Sequence, residues 1–142
     1  MVDELVYSEL AKSLAAHATL QIRGADAGAS YGWVYPLLIA PSYRAFTRLP
    51  AAYAGVKAIN AVLMSLGAVP AYAIARRLVR PPLPLVAALF AVAIPSLVYT
   101  GAVLTENAFY PLFLCVIWAL MRMIQGAKRS QVVEVASAAR QQ

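Results

Sequence analysis

An all-α integral membrane protein, with three transmembrane helices preceded by an external amphipathic helix and an interfacial segment, is the fold class this sequence predicts. Three observations predict it. Hydrophobic residues make up 62% of the 142 residues and charged ones 13%, against roughly 45–50% and 25% in a soluble domain. The charges leave three uncharged runs, Ala58 to Ala75, Pro81 to Thr105 and Asn107 to Met121. Basic residues gather beside those runs, at Arg76, Arg77 and Arg80 and again at Arg122, Lys128 and Arg129, as they do at cytoplasmic helix ends. The net charge of +6 is thereby assigned to membrane orientation rather than to nucleic acid. A single cysteine, Cys115, excludes an intramolecular disulfide framework and any multi-cysteine metal site.

From Asp3 to Ile22, Val6, Leu10 and Leu14 recur at i+4 while Glu9, Lys12 and Ser13 fall on other faces, which predicts an amphipathic helix lying on the membrane. Residues 27 to 43 are uncharged but interrupted by Gly28, Gly32, Pro36 and Pro41, so they suit an interfacial or re-entrant segment better than a span. Trp33, Tyr35 and Tyr43 fit the same level. Residues 1–50 thus form an external region, and residues 51–123 a three-helix transmembrane region. The first helix runs inward to the arginine cluster. The second returns outward after Pro81, Pro82 and Pro84, residues that suit a loop and a helix's first turn. A short turn around Gly101 leads into the third, with Tyr99 and Tyr110 near the outer interface. Residues 124–142 are expected as a cytoplasmic tail, its last part a loop from Ser130 onward. Nothing in the first fifty residues is a signal peptide or an uninterrupted span, so a helix ahead of Met1 is expected.

Acids at a membrane boundary are costly and therefore informative. Asp3 and Glu4 open the amphipathic helix, where the helix dipole explains them as well as a base would. Glu106, beside Asn107, opens the third span, and N-terminal capping competes there with a site. Arg23, Arg44, Arg48 and Lys57 lie on the outer side, where they could hold a lipid-linked phosphate or simply anchor in headgroups. Lys57 is the foremost candidate among them, and Arg44 the next. His17 has no partner at metal-ligand spacing, and neither a phosphate-cradling glycine loop nor a nucleophile elbow is present. No cofactor is assigned.

The order of motifs carries a resemblance. Asp3-Glu4-Leu5-Val6-Tyr7 is followed by Ala11-Lys12-Ser13-Leu14, Tyr35-Pro36-Leu37-Leu38-Ile39-Ala40-Pro41, Asn60-Ala61-Val62-Leu63-Met64-Ser65-Leu66 and Ala75-Arg76-Arg77-Leu78. Tyr99-Thr100-Gly101, Leu104-Thr105-Glu106-Asn107 and Phe109-Tyr110-Pro111-Leu112 complete it. Over residues 3 to 123 this resembles the N-terminal module of GT-C class membrane glycosyltransferases, in the protein O-mannosyltransferase and aminoarabinose-transferase-like branch. The resemblance implies a polyprenyl-phosphate-linked sugar donor, with Asp3 as the base that takes a proton from the acceptor hydroxyl. It also implies Glu4 as a neighbouring acid, and Glu106 as an external acid at the mouth of the cavity. Members of that family begin with a further helix and continue through many more, so the chain is expected to be a partial module, inactive alone, with missing helices or a partner chain completing it. The other class of function is a small non-catalytic membrane protein packing against partner helices, through Ala61, Ser65, Gly67 and Ala68 or Ala87, Ala88, Ala91 and Ala93. Either way the expected location is the plasma membrane, N-terminal region external and C-terminus cytoplasmic.

Overall fold

The computed structural model describes residues 2–26 and 31–139. In chain order these form α1 (Val2–His17), β1 (Gln21–Ile22), β2 (Ala25–Asp26), α2 (Val34–Ala45), α3 (Leu49–Leu66), α4 (Ala68–Leu78), α5 (Leu83–Tyr99) and α6 (Glu106–Ala139).

The amphipathic helix ends five residues earlier than the i+4 pattern suggests. Ala18 takes φ 55°, and its N–H closes on the Leu14 carbonyl at 3.1 Å, a left-handed helix stop. The chain then makes a hairpin pairing Gln21 with Asp26 and Ile22 with Ala25. Its two turn residues, Arg23 (φ 51°) and Gly24 (φ 85°), both lie at positive φ, as a two-residue type I′ turn requires. The apolar side of α1 is not left for lipid: Leu10 and Ala11 are buried, and α1 packs chiefly on α2.

The interrupted segment after residue 30 folds as α2, with Pro36 in its first turn and Pro41 inside it; Gly28 lies outside the described residues. Pro50 starts α3, where its missing N–H needs no partner. At Gly67 the backbone stays right-handed helical (φ −61°, ψ −21°), so α4 follows α3 without a loop. Pro70 falls in the first turn of α4, and the helix stops at the extended Val79 ahead of Pro81 and Pro82. Arg76 and Arg77 occupy its last turn, where cations offset the negative end of the dipole.

Two stretches, Leu49–Leu78 and Glu106–Lys128, are long and apolar enough to cross a membrane. In their most apolar windows only 33% and 17% of residues are buried, whereas a core helix of a soluble protein would be mostly enclosed. α5 has 17 residues, about 25 Å at ~1.5 Å per residue, and is the short one of the three expected spans. The C-terminal segment differs from expectation: instead of a loop from Ser130, α6 runs unbroken through Ala139, 34 residues in all. No Pro follows Pro111, and Gln131, Glu134, Ala136, Ala138 and Ala139 favour helix enough for it to propagate.

The enclosed core sits at one end, where Ala11 of α1, Tyr35 and Ile39 of α2, Val56 of α3, Val103, and Ala108 of α6 converge. Tyr7 meets Tyr35 edge-on at 5.7 Å between ring centres. Along the rest of α3, α5 and α6 large apolar side chains face outward, among them Val62, Leu66, Leu89, Phe90, Phe109 and Leu112.

Candidate functional site

The first turn of α1 places Asp3 and Glu4 at the enclosed end of the molecule, with different surroundings. Glu4 is half-buried, and its Oε1 accepts hydrogen bonds from the Tyr53 hydroxyl on α3 and from the Val103 N–H, the latter at 3.3 Å. One carboxylate oxygen therefore ties α1 to α3 and to the α5–α6 turn. Asp3 is exposed and has no hydrogen-bond or ionic partner among the described residues. Consecutive residues on a helix point about 100° apart. Fixing Glu4 inward thus holds Asp3 outward as a solvated, acceptor-only group.

Beside Glu4 runs a groove between α1, the end of α2 and the start of α3. One hollow, about 350 Å³, is lined by Glu4, Leu5, Ser8, Lys12, Tyr43, Leu49 and Tyr53. A second, about 440 Å³, shares Lys12, Tyr43 and Leu49 and adds Arg44, Phe46 and Thr47. The Lys12 ammonium bonds Glu9 Oε1 at 2.9 Å and lies 5.9 Å from the centre of the Tyr43 ring. One carboxylate and two cations thus share one groove.

The residues expected from the sequence are only partly brought together. Arg44 lines the groove. Lys57 does not; its ammonium sits over the Tyr53 ring, 4.8 Å from the centre, on an exposed edge of α3. Glu106 is exposed in the first turn of α6, with the Thr105 hydroxyl 3.5 Å from its Oε2, and lines neither hollow.

Below Glu4 lies a polar cluster that the sequence reading passed over. Asn60, fully buried on α3, accepts the Tyr35 hydroxyl at 3.0 Å and donates to the Ala102 carbonyl at 3.0 Å. Asn107, also fully buried, donates through Nδ2 to the carbonyls of Tyr99, Ala102 and Leu104, each at 3.1 Å, while its Oδ1 has no partner. Burial pushes the Tyr35 phenol up to about 12, against the opposing effect of its hydrogen bond to Asn60. The cluster's hydrogen bonds join α2, α3 and the turn between α5 and α6. Its sequence signal was Asn60 alone in an apolar run, since a polar amide among apolar side chains must find partners.

No family model, curated protein or solved structure matches the chain.

Proposed function

We propose that the chain is an integral membrane protein of three transmembrane helices and a partial module of a glycosyltransferase that uses a polyprenyl-phosphate-linked sugar at the external membrane face. The membrane placement is supported by the two long apolar helices and their outward-facing side chains. α5 makes the third span, since 17 residues lie at the lower end of the usual range. The basic helix ends support an inner position for themselves and an outer one for residues 1–50. Cysteines at Thr47 and Ser130, in a Cys115→Ala background, test this in plasma-membrane vesicles of known sidedness. Thr47 should label from outside and Ser130 should not; the reverse would overturn the topology.

The observation that carries the transferase reading is the exposed Asp3 carboxylate, unpartnered among the described residues and next in the chain to Glu4, whose hollow presents Lys12 and adjoins one lined by Arg44; Asp3 itself lines neither hollow. Asp3 takes the proton of an acceptor hydroxyl as its oxygen bonds the anomeric carbon, and the lipid phosphate leaves with the electrons of the broken bond. The cations bind that phosphate. A photoreactive polyprenyl phosphate should crosslink to the chain in nanodiscs, be displaced by unlabelled polyprenyl-phosphate sugar, and label Arg44→Gln weakly. Labelling that the competitor leaves unchanged would sink the donor site. Turnover by the 142-residue chain alone would refute its being a partial module.

A non-catalytic protein that packs against partner helices is the second reading. It is favoured by Glu4, whose carboxylate already serves the fold, and by the exposed Ala61 and Ser65 on α3. Gly67 is spent inside the chain, facing Tyr110 and Leu114 of α6. Crosslinking between copies or to a partner through a cysteine at Ala61, with no donor binding, would select this reading.

A further inference from the structure

Far from the groove, a second polar concavity lies between α4 and α6. Arg76, Arg77 and Ala73 of α4 and Trp118 and Arg122 of α6 enclose about 400 Å³. The path along α3 and α4 from Tyr53 to Arg77 covers 24 residues, about 36 Å of helix at ~1.5 Å per residue. The guanidinium of Arg77 is fixed across the gap by a 2.6 Å hydrogen bond from Nη1 to Gln125 Oε1. That of Arg122 lies over the Trp118 ring, 5.1 Å from its centre.

We propose that this cleft binds the phosphate of an anionic glycerophospholipid in the inner leaflet. The proposal rests on the membrane placement above and not on the transferase reading. Three exposed arginines from two helices line one space, and no carboxylate lines it. Lys12–Glu9 is the one ion pair among the described residues, so these arginines carry no acidic partner there. A charge bias that only orients helices needs cations near the helix ends, not cations directed into a shared cleft. Guanidinium forks match phosphate oxygens in pairs, and Arg77, already held by Gln125, needs less ordering to receive one. The occupant is an amphiphile because Leu78, Leu120, Met123 and Ile124 are exposed beside the arginines and offer acyl chains an apolar wall. Trp118, half-buried, stands at the level where indoles favour the headgroup boundary.

Trp118 also supplies the readout, since Trp33 is the other tryptophan of the chain and can be changed to Phe. The full chain in phosphatidylcholine nanodiscs is given either brominated phosphatidylglycerol or brominated phosphatidylcholine at equal mole fraction, and quenching of Trp118 is compared. Phosphatidylglycerol should quench more strongly. Arg76→Gln and Arg77→Gln should each lower its local enrichment about tenfold, the usual effect of losing one hydrogen bond to a charged group. Lys128→Gln removes the same charge from an exposed position outside the cleft and should leave the enrichment unchanged. Equal quenching by the two lipids, or an equal loss in Lys128→Gln, would overturn the proposal. Displacement by inorganic phosphate would overturn the lipid as occupant in favour of a soluble anion. A chain recovered outside the bilayer would refute the membrane placement itself.

Discussion

Removing the Asn60 amide tests what holds the enclosed end together. Asn60→Leu keeps a side chain of similar size and leaves the Tyr35 hydroxyl without its acceptor; the Ala102 carbonyl keeps the amide of Asn107. Tyr35→Phe does the converse and strands Asn60 Oδ1. Both residues are essentially enclosed, at 0% and 2% exposure, so either orphan should cost about 1–3 kcal/mol. The double variant removes both partners together and should cost less than the two singles combined. Interhelical hydrogen bonds in bilayers average about 0.6 kcal/mol in such cycles, and the enclosure here places the coupling between ~0.6 and ~2 kcal/mol. Reversible unfolding by dodecyl sulfate in mixed micelles, followed by far-ultraviolet circular dichroism, measures all four proteins. If the single effects add to within about 0.3 kcal/mol, the Tyr35–Asn60 bond contributes nothing and the account of this end is wrong.

Tyr35 gives a pH dependence whose sign follows from its raised value. The folded chain keeps the phenol proton that an unfolded tyrosine loses near 10, so the stabilisation is full below pH 10 and lost as pH rises through about 12; wild type should therefore lose stability over that window more steeply than Tyr35→Phe. Gly55 and Gly126 should respond oppositely to alanine. A Cβ at Gly55 would collide with Ser42 and come within 3.1 Å of Phe46, whereas Gly126 faces open space. Gly126→Ala should gain up to about 1 kcal/mol of helix stability, and the overpacking cost of about 1–3 kcal/mol should cancel or reverse that gain in Gly55→Ala; equal gains in the unfolding assay would refute the close α2–α3 contact. In a completed transferase, Asp3→Asn should lower turnover by roughly 10²–10⁴-fold with no change in unfolding midpoint. Glu4→Gln should cost less activity and some stability, since Glu4 holds Tyr53 and Val103. Silence of both would leave these acids as helix-start residues only.

The legible part of the fold was what single-residue character decides: where charges stop, where prolines interrupt, and where an i+4 stripe begins. Those marks located both ends of α5 and the starts of α1 and α6 to within a few residues, but the first run, Ala58 to Ala75, begins nine residues inside α3 and gave no sign of its break from α4 at Gly67. They missed the end of α1, because a left-handed Ala18 leaves no compositional trace. They also missed the continuation of α6 past Ser130, because Ser130, Val132, Val133, Val135 and Ser137 are middling helix formers that mark neither a helix nor a loop. Asp3, Glu4 and Arg44 were visible as isolated charges, yet their surroundings were not. That Glu4 meets Tyr53 and Val103, 49 and 99 residues away in sequence, depends on packing that no local pattern encodes.

The Asn107 amide has a bearing on where the turn between α5 and α6 can sit. A helix end exposes carbonyls that water normally solvates, and a turn between two apolar helices would have to carry that water into hydrocarbon or leave the groups bare. Here one side chain, donating to Tyr99, Ala102 and Leu104, supplies the donor from within the turn itself. The turn between α5 and α6 thus brings its own solvation, and its carbonyls can stay inside an apolar surrounding without recruiting water to them.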